Sequence, residues 1–167
     1  KSLPDVLLNT GMTTAAIMLI VAFGNIIGWS LSIDNIPNKI TNAILSVTDN
    51  KQIVLLLIIL CLFAIGCVMD AFAAMYVFTP VFYPLATAVN IDPIHFGIIF
   101  CLMLTIGLIT PPVGMLLFVT SNISGVPLAK LSKTIWPFVL TAMVVVLLLA
   151  FVPDLVMFIP NLFAANG

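Results

Sequence analysis

The chain contains no arginine and no glutamate, and its five lysines and six aspartates charge only 7% of its positions. Soluble domains carry roughly 25%. So few charges cannot give a chain of this size a water-loving coat, and lipid must be its main solvent. Other absences narrow the function. With a net charge of −1 there is no basic stripe to neutralise phosphates, which excludes nucleic acid as a partner. There is one histidine, and Cys61, Cys67 and Cys101 lie inside apolar stretches without a CxxC or Cys/His cluster. They read as free small hydrophobes rather than as ligands or a disulfide. No GxSxG and no phosphate-binding loop occur, and no second deep aspartate stands beside Asp70 as an intramembrane aspartyl protease would need. The expectation is a protein that is not an enzyme. The chain opens at Lys1 without a methionine or a signal peptide, so a longer polypeptide is expected upstream.

What is present is apolar: 63% of residues belong to the hydrophobic set. A spanning helix needs about 20 such residues. The first candidate runs from Met12 to Ile33, after an amphipathic lead-in over Ser2–Thr10. Gly24 and Gly28 stand in GxxxG spacing, which either admits a neighbouring helix or is ordinary glycine content with no dedicated partner. After the Asp34–Pro37 turn, Asn38–Val47 reads as an interfacial helix. Gln52–Met69 and Ala71–Val89 follow almost without a joint, since Gly66–Ala71 offers a single Asp and no Lys, Asn or Ser. A turn in water would be polar. The expectation is a re-entrant hairpin with its tip at depth, where irregular backbone is tolerated only if it lines a cavity or is buried in protein.

The stretch 94–124 is long and is interrupted by Gly107-Leu-Ile-Thr110-Pro111-Pro112-Val113-Gly114. Two prolines remove two amide donors and bar helical geometry before them, while the glycines let the chain unwind. This predicts a discontinuous helix. Its bared carbonyls and the Thr110 hydroxyl could replace the hydration shell of Na+; the plainer reading is a packing kink, and the ion-site reading is favoured. Val126–Lys133 reads as a connector and Thr134–Phe158 as the last span. Asp70 has two compatible readings: a cation-site or gating residue, or a cap on the second hairpin helix. His95 reads as structural or solvated rather than as a proton relay, Asn25 as interhelical glue, and Trp29 and Trp136 as interfacial anchors. The positive-inside rule places Lys130, Lys133 and Lys1 in the cytoplasm against Lys39 and Lys51 outside, a vote of three to two.

Three strings together are specific: Gly66-Cys-Val-Met69-Asp70-Ala, Asn90-Ile-Asp92-Pro-Ile-His95-Phe-Gly97, and Gly107-Leu-Ile-Thr-Pro-Pro-Val-Gly114. In this order they resemble the large membrane subunit of TRAP (tripartite ATP-independent periplasmic) transporters of the dicarboxylate and sialic acid type, over residues 11–163. The resemblance implies an all-α integral membrane fold, the second inverted repeat of an elevator-type transporter. Residues 1–50 would form an arm, a scaffold helix and an interfacial helix. Residues 51–167 would be part of the transport domain, with the hairpin at 52–89, the discontinuous helix at 94–124 and a terminal helix at 134–158. It further implies Na+-coupled uptake of a small organic anion in the bacterial inner membrane, with a small four-helix membrane subunit and a periplasmic substrate-binding protein as partners. The Na+ would sit between the tip at Gly66 and Gly107, Thr110 and Val113, mainly on backbone carbonyls. Met69, Asp70, Pro111, Pro112 and Gly114 would shape the site, with Asp70 one helical turn from Gly66. Single-component Na+/dicarboxylate carriers and, less well matched, ion channels are the alternatives.

Overall fold

The computed structural model describes residues 3–111 and 113–164; Lys1 and Pro112 lie outside the described residues. Eight helices are described: α1 (Leu3–Ile33), α2 (Ile36–Leu45), α3 (Lys51–Val68), α4 (Ala71–Ala88), α5 (Pro93–Leu108), α6 (Met115–Ser124), α7 (Leu128–Phe151) and α8 (Pro153–Ala164). Four of them, α1, α3, α4 and α7, are long and apolar enough to cross a membrane. This is the architecture of an integral membrane protein.

The packing follows from two apolar stripes at helical spacing. On α3 the buried residues are Val54, Leu55, Ile58, Ile59 and Leu62, and Gly66 continues the row. On α5 they are Phe96, Ile99, Phe100, Met103 and Leu104, and Gly107 continues that row. Such four- and three-residue steps place one stripe along one face. The two faces pack on each other, and α4 packs against α5 beside them. Their relative direction is fixed at both ends. At one end Lys51 Nζ, on the first residue of α3, donates to the carbonyl of Asn90 in the turn before α5 at 2.9 Å. At the other, Gly66 and Gly107 meet backbone to backbone. α3 and α5 therefore run parallel, and α4 runs back between the tip and the base.

α1 lies alongside α4, with Gly24 against Tyr76 and Gly28 against Pro80. The equal spacing of the two pairs makes these helices parallel, and it gives the GxxxG face a partner. α7 returns along α6 and α5. Its end reaches the base, where His95 Nε2 lies 2.9 Å from the Leu149 carbonyl oxygen. Charges sort accordingly. Asp34, Asp49, Asp92 and Asp154 fall at the helix ends of the base side, with Lys39 and Lys51, while Lys130, Lys133 and Asp5 belong to the far ends of α7 and α1. Among the described charges, Asp70 alone stands between.

Three boundaries differ from the sequence reading by more than two residues. The lead-in over Ser2–Thr10 is not separate: from Leu3 onward it is continuous with the first span, because Pro4 sits in the first turn, where a missing N–H costs nothing. The connector over Val126–Lys133 is helical from Leu128, since Pro127 marks the start and the lysines are good helix formers. The last span does not extend to Phe158: Val152 leaves helical geometry ahead of Pro153, so α7 ends at Phe151 and α8 begins beyond it.

Candidate functional site

The hairpin tip is short because its helices end abruptly. α3 stops at Val68, and Met69 and Asp70 are both extended, with φ/ψ of −112/156 and −64/142. Asp70 is therefore not on the same helical turn as Gly66; it is the N-cap of α4. Its carboxylate accepts from Phe72 N at 2.9 Å and Ala73 N at 3.4 Å, so the capping reading describes what this side chain does. Met69 turns toward α1 and lines a groove with Phe23 and Gly24.

The broken helix supplies the opposite wall. α5 ends at Leu108, and α6 begins after Gly114, whose φ of +51 is the left-handed region that glycine tolerates. Among the described residues no side chain caps the first turn of α6; Gly114 O serves it, accepting from Leu117 N and Phe118 N. Thr110 is 1% exposed. Its hydroxyl donates to Ile106 O at 2.7 Å and its amide to Gly107 O at 2.9 Å. With its proton committed to Ile106, the hydroxyl oxygen is left as an acceptor only.

Tip and break are in contact. A Cβ on Gly107 would lie 2.4 Å from the Gly66 carbonyl carbon and 2.8 Å from Cys67 N. One on Gly66 would lie 3.1 Å from Leu104 O and 3.2 Å from Gly107 Cα. Gly66, Gly107 and Thr110 are thus one backbone cluster, and Gly114 closes on it, since its Cβ would meet Thr110 O at 3.1 Å. Val113 lines a groove of about 490 Å³ with Asp70, Leu108, Met115 and Phe118. Pro111 is half-buried in the break. The sequence reading missed two participants, Leu104, whose carbonyl faces Gly66, and Ile106, which fixes the Thr110 hydroxyl. Ile106 was findable, because a helical threonine commonly donates to the carbonyl four residues back.

These groups offer oxygen ligands without charge or sulfur. Among the described residues no cluster of three or more His, Cys, Asp or Glu side chains exists to hold a transition metal. The break carries neutral oxygen: the Thr110 hydroxyl and the terminal carbonyls of α5, of which Ile106 O and Gly107 O accept hydrogen bonds within the break itself.

The family model described as tripartite ATP-independent periplasmic transporter, DctM component, matches residues 1–155. Among relatives, the uncharacterised Salmonella typhimurium protein YgiK is 40% identical over 99% of this chain and 38% of its own length. The sialic acid TRAP transporter large permease protein SiaM of Vibrio cholerae is 34% identical over 98% of this chain and 38% of its own. The C4-dicarboxylate TRAP transporter large permease protein DctM of Pseudomonas aeruginosa is 34% identical over 95% and 37%. The chain spans a little over a third of the length of these curated relatives. Since the family match runs through both places where the helical ladder is interrupted, the chain belongs to the DctM component of the tripartite ATP-independent periplasmic transporters.

Proposed function

We propose that this chain forms the part of a TRAP large permease that carries one Na+ site, in a system that takes up a small organic anion across the bacterial inner membrane. The observation that carries the reading is the backbone contact between Gly66 and Gly107 beside a buried hydroxyl held as an acceptor. Gly66, Gly107, Thr110 and Val113 would hold the ion, mainly through main-chain oxygen, and the Na+ gradient would supply the driving force. Asp70 would shape the tip by capping α4 rather than by ligating.

A re-entrant hairpin fits the placement of the tip. α7 is 24 residues, about 36 Å, whereas α5 is 16, about 24 Å, and both reach the base at Leu149 and His95. The tip meets α5 at Gly107, near that helix's end, so α7 and α6 run on beyond it toward Lys130 and Lys133. Tip and break would then lie inside the lipid, with the lysines in the cytoplasm. An elevator motion of the hairpin-bearing block, a small membrane subunit and a periplasmic binding protein complete the proposal. Two relatives are named for sialic acid and C4-dicarboxylates, and an acid of that class is the proposed substrate here.

The test is uptake by the full-length permease with its small subunit in proteoliposomes. Thr110→Ala should raise the Na+ concentration for half-maximal uptake about tenfold, equivalent to about 1.4 kcal/mol, while Thr110→Ser stays close to wild type. An unchanged Na+ response in the alanine variant would sink the site. Uptake that proceeds without a binding protein would favour a single-component carrier.

A further inference from the structure

We propose that His95 supplies the hydrogen-bond donor that Pro153 lacks, and thereby fixes the start of α5 to the elbow between α7 and α8. In an unbroken helix each carbonyl accepts from the amide four residues on. Leu148 O does so, receiving Val152 N at 2.9 Å. The next carbonyl, Leu149 O, would need the amide of residue 153, and proline has none. An unserved carbonyl is costly in lipid, where no water replaces the missing partner.

His95 reaches this carbonyl from another helix, 54 positions away in sequence, with Nε2 at 2.9 Å. The residue is 1% exposed, so solvent does not compete for the bond. A carbonyl oxygen only accepts, and the proton must therefore sit on Nε2. The backbone that carries the ring is held as well: Asp92 caps α5, accepting from Ile94 N at 2.8 Å and from the His95 amide at 3.3 Å. These bonds leave the ring one height along α7.

That height matters because α5 is a strut. Its first turn carries His95, and its far end carries Gly107, about 18 Å away at the helical rise. A displaced first turn would displace Gly107 against Gly66, where no slack exists. His95 is thus a positioning residue, and this role is independent of which ion the tip holds.

The experiment uses the full-length permease in detergent. His95→Leu removes the donor and should lower Tm by about 5 °C, the scale expected for one unserved buried carbonyl in a chain of this kind. His95→Gln, whose amide can donate, should recover at least half of that loss. Pro153→Ala provides a backbone N–H for Leu149 O, and in that background His95→Leu should cost under about 2 °C. The proposal is overturned if His95→Leu costs as much in the Pro153→Ala background as in the wild type, since the ring would then only fill space, or if it costs nothing in either. If His95→Leu alone is not recovered from membranes, the double variant decides: its recovery supports the substitution of one donor for another, and its loss refutes it. Nitrogen-15 spectra of labelled histidine, assigned by difference with His95→Gln, should show the proton on Nε2; a bare Nε2 would also refute it.

Discussion

Two pairs of helices meet through glycine, and they meet differently. At the α3–α5 joint both partners are buried glycines and main chain touches main chain. At the α1–α4 joint the glycines belong to α1 alone and meet side chains, Tyr76 and Pro80, beside a groove of about 510 Å³ that Asn25, Ser32 and Thr79 also line. The first joint has no atom that can move aside. At the second, α1 exposes other faces among the described residues, with Phe23 and Trp29 more than 60% exposed. Close packing of small residues is the main adhesive between helices in lipid, so the contrast assigns rigidity to the tip and tolerance to the flank.

The sharpest way to break this contrast is Gly107→Val. Its Cβ alone would sit 2.4 Å from Gly66, and the branched side chain should cost about 3 kcal/mol or more and abolish uptake by the full-length permease. Retained uptake with an unshifted Tm would show that the tip can yield. Next comes Asp70. Asp70→Ala removes the cap of α4 and should cost about 1 kcal/mol, whereas Asp70→Asn keeps an acceptor and should leave Tm unchanged. An Asn variant that keeps its Tm but loses its Na+ response would give the charge a role beyond capping. Gly24→Ala should cost about 1 kcal/mol, because the new methyl meets Tyr76 Cβ at 2.7 Å but α1 can shift outward. A loss as large as that of Gly107→Val would erase the distinction between the joints. Smallest is Gly28→Ala, whose methyl meets Pro80 at an ordinary 3.5 Å; Tm should hold or rise slightly as the helix gains a better former.

Much of the tip was legible because its signals are local. Gly66 to Ala71 is too apolar for a water-exposed turn, Asp70 precedes a helix in capping position, and paired prolines between glycines interrupt any helix. Local signals fail where the deciding partner is distant. Pro153 lies inside the apolar run 134–158, which reads as one span, and only the packing of α5 against α7 reveals the partner of the Leu149 carbonyl. The register of Gly24 and Gly28 on Tyr76 and Pro80 is likewise a property of two segments about fifty residues apart, which neither segment announces. Thr110 falls between these cases: its residue type suggested an oxygen ligand, but the direction of its proton came from Ile106.

The bond from Lys51 to the Asn90 carbonyl has a mechanical consequence. It fastens the foot of the hairpin to the turn from which α5 rises, and the parallel stripes above it keep the two struts abreast. The clip is closed at its head as well, where Gly66 meets Gly107, and the prolines at positions 80 and 84 leave α4 the limb with the weaker spine.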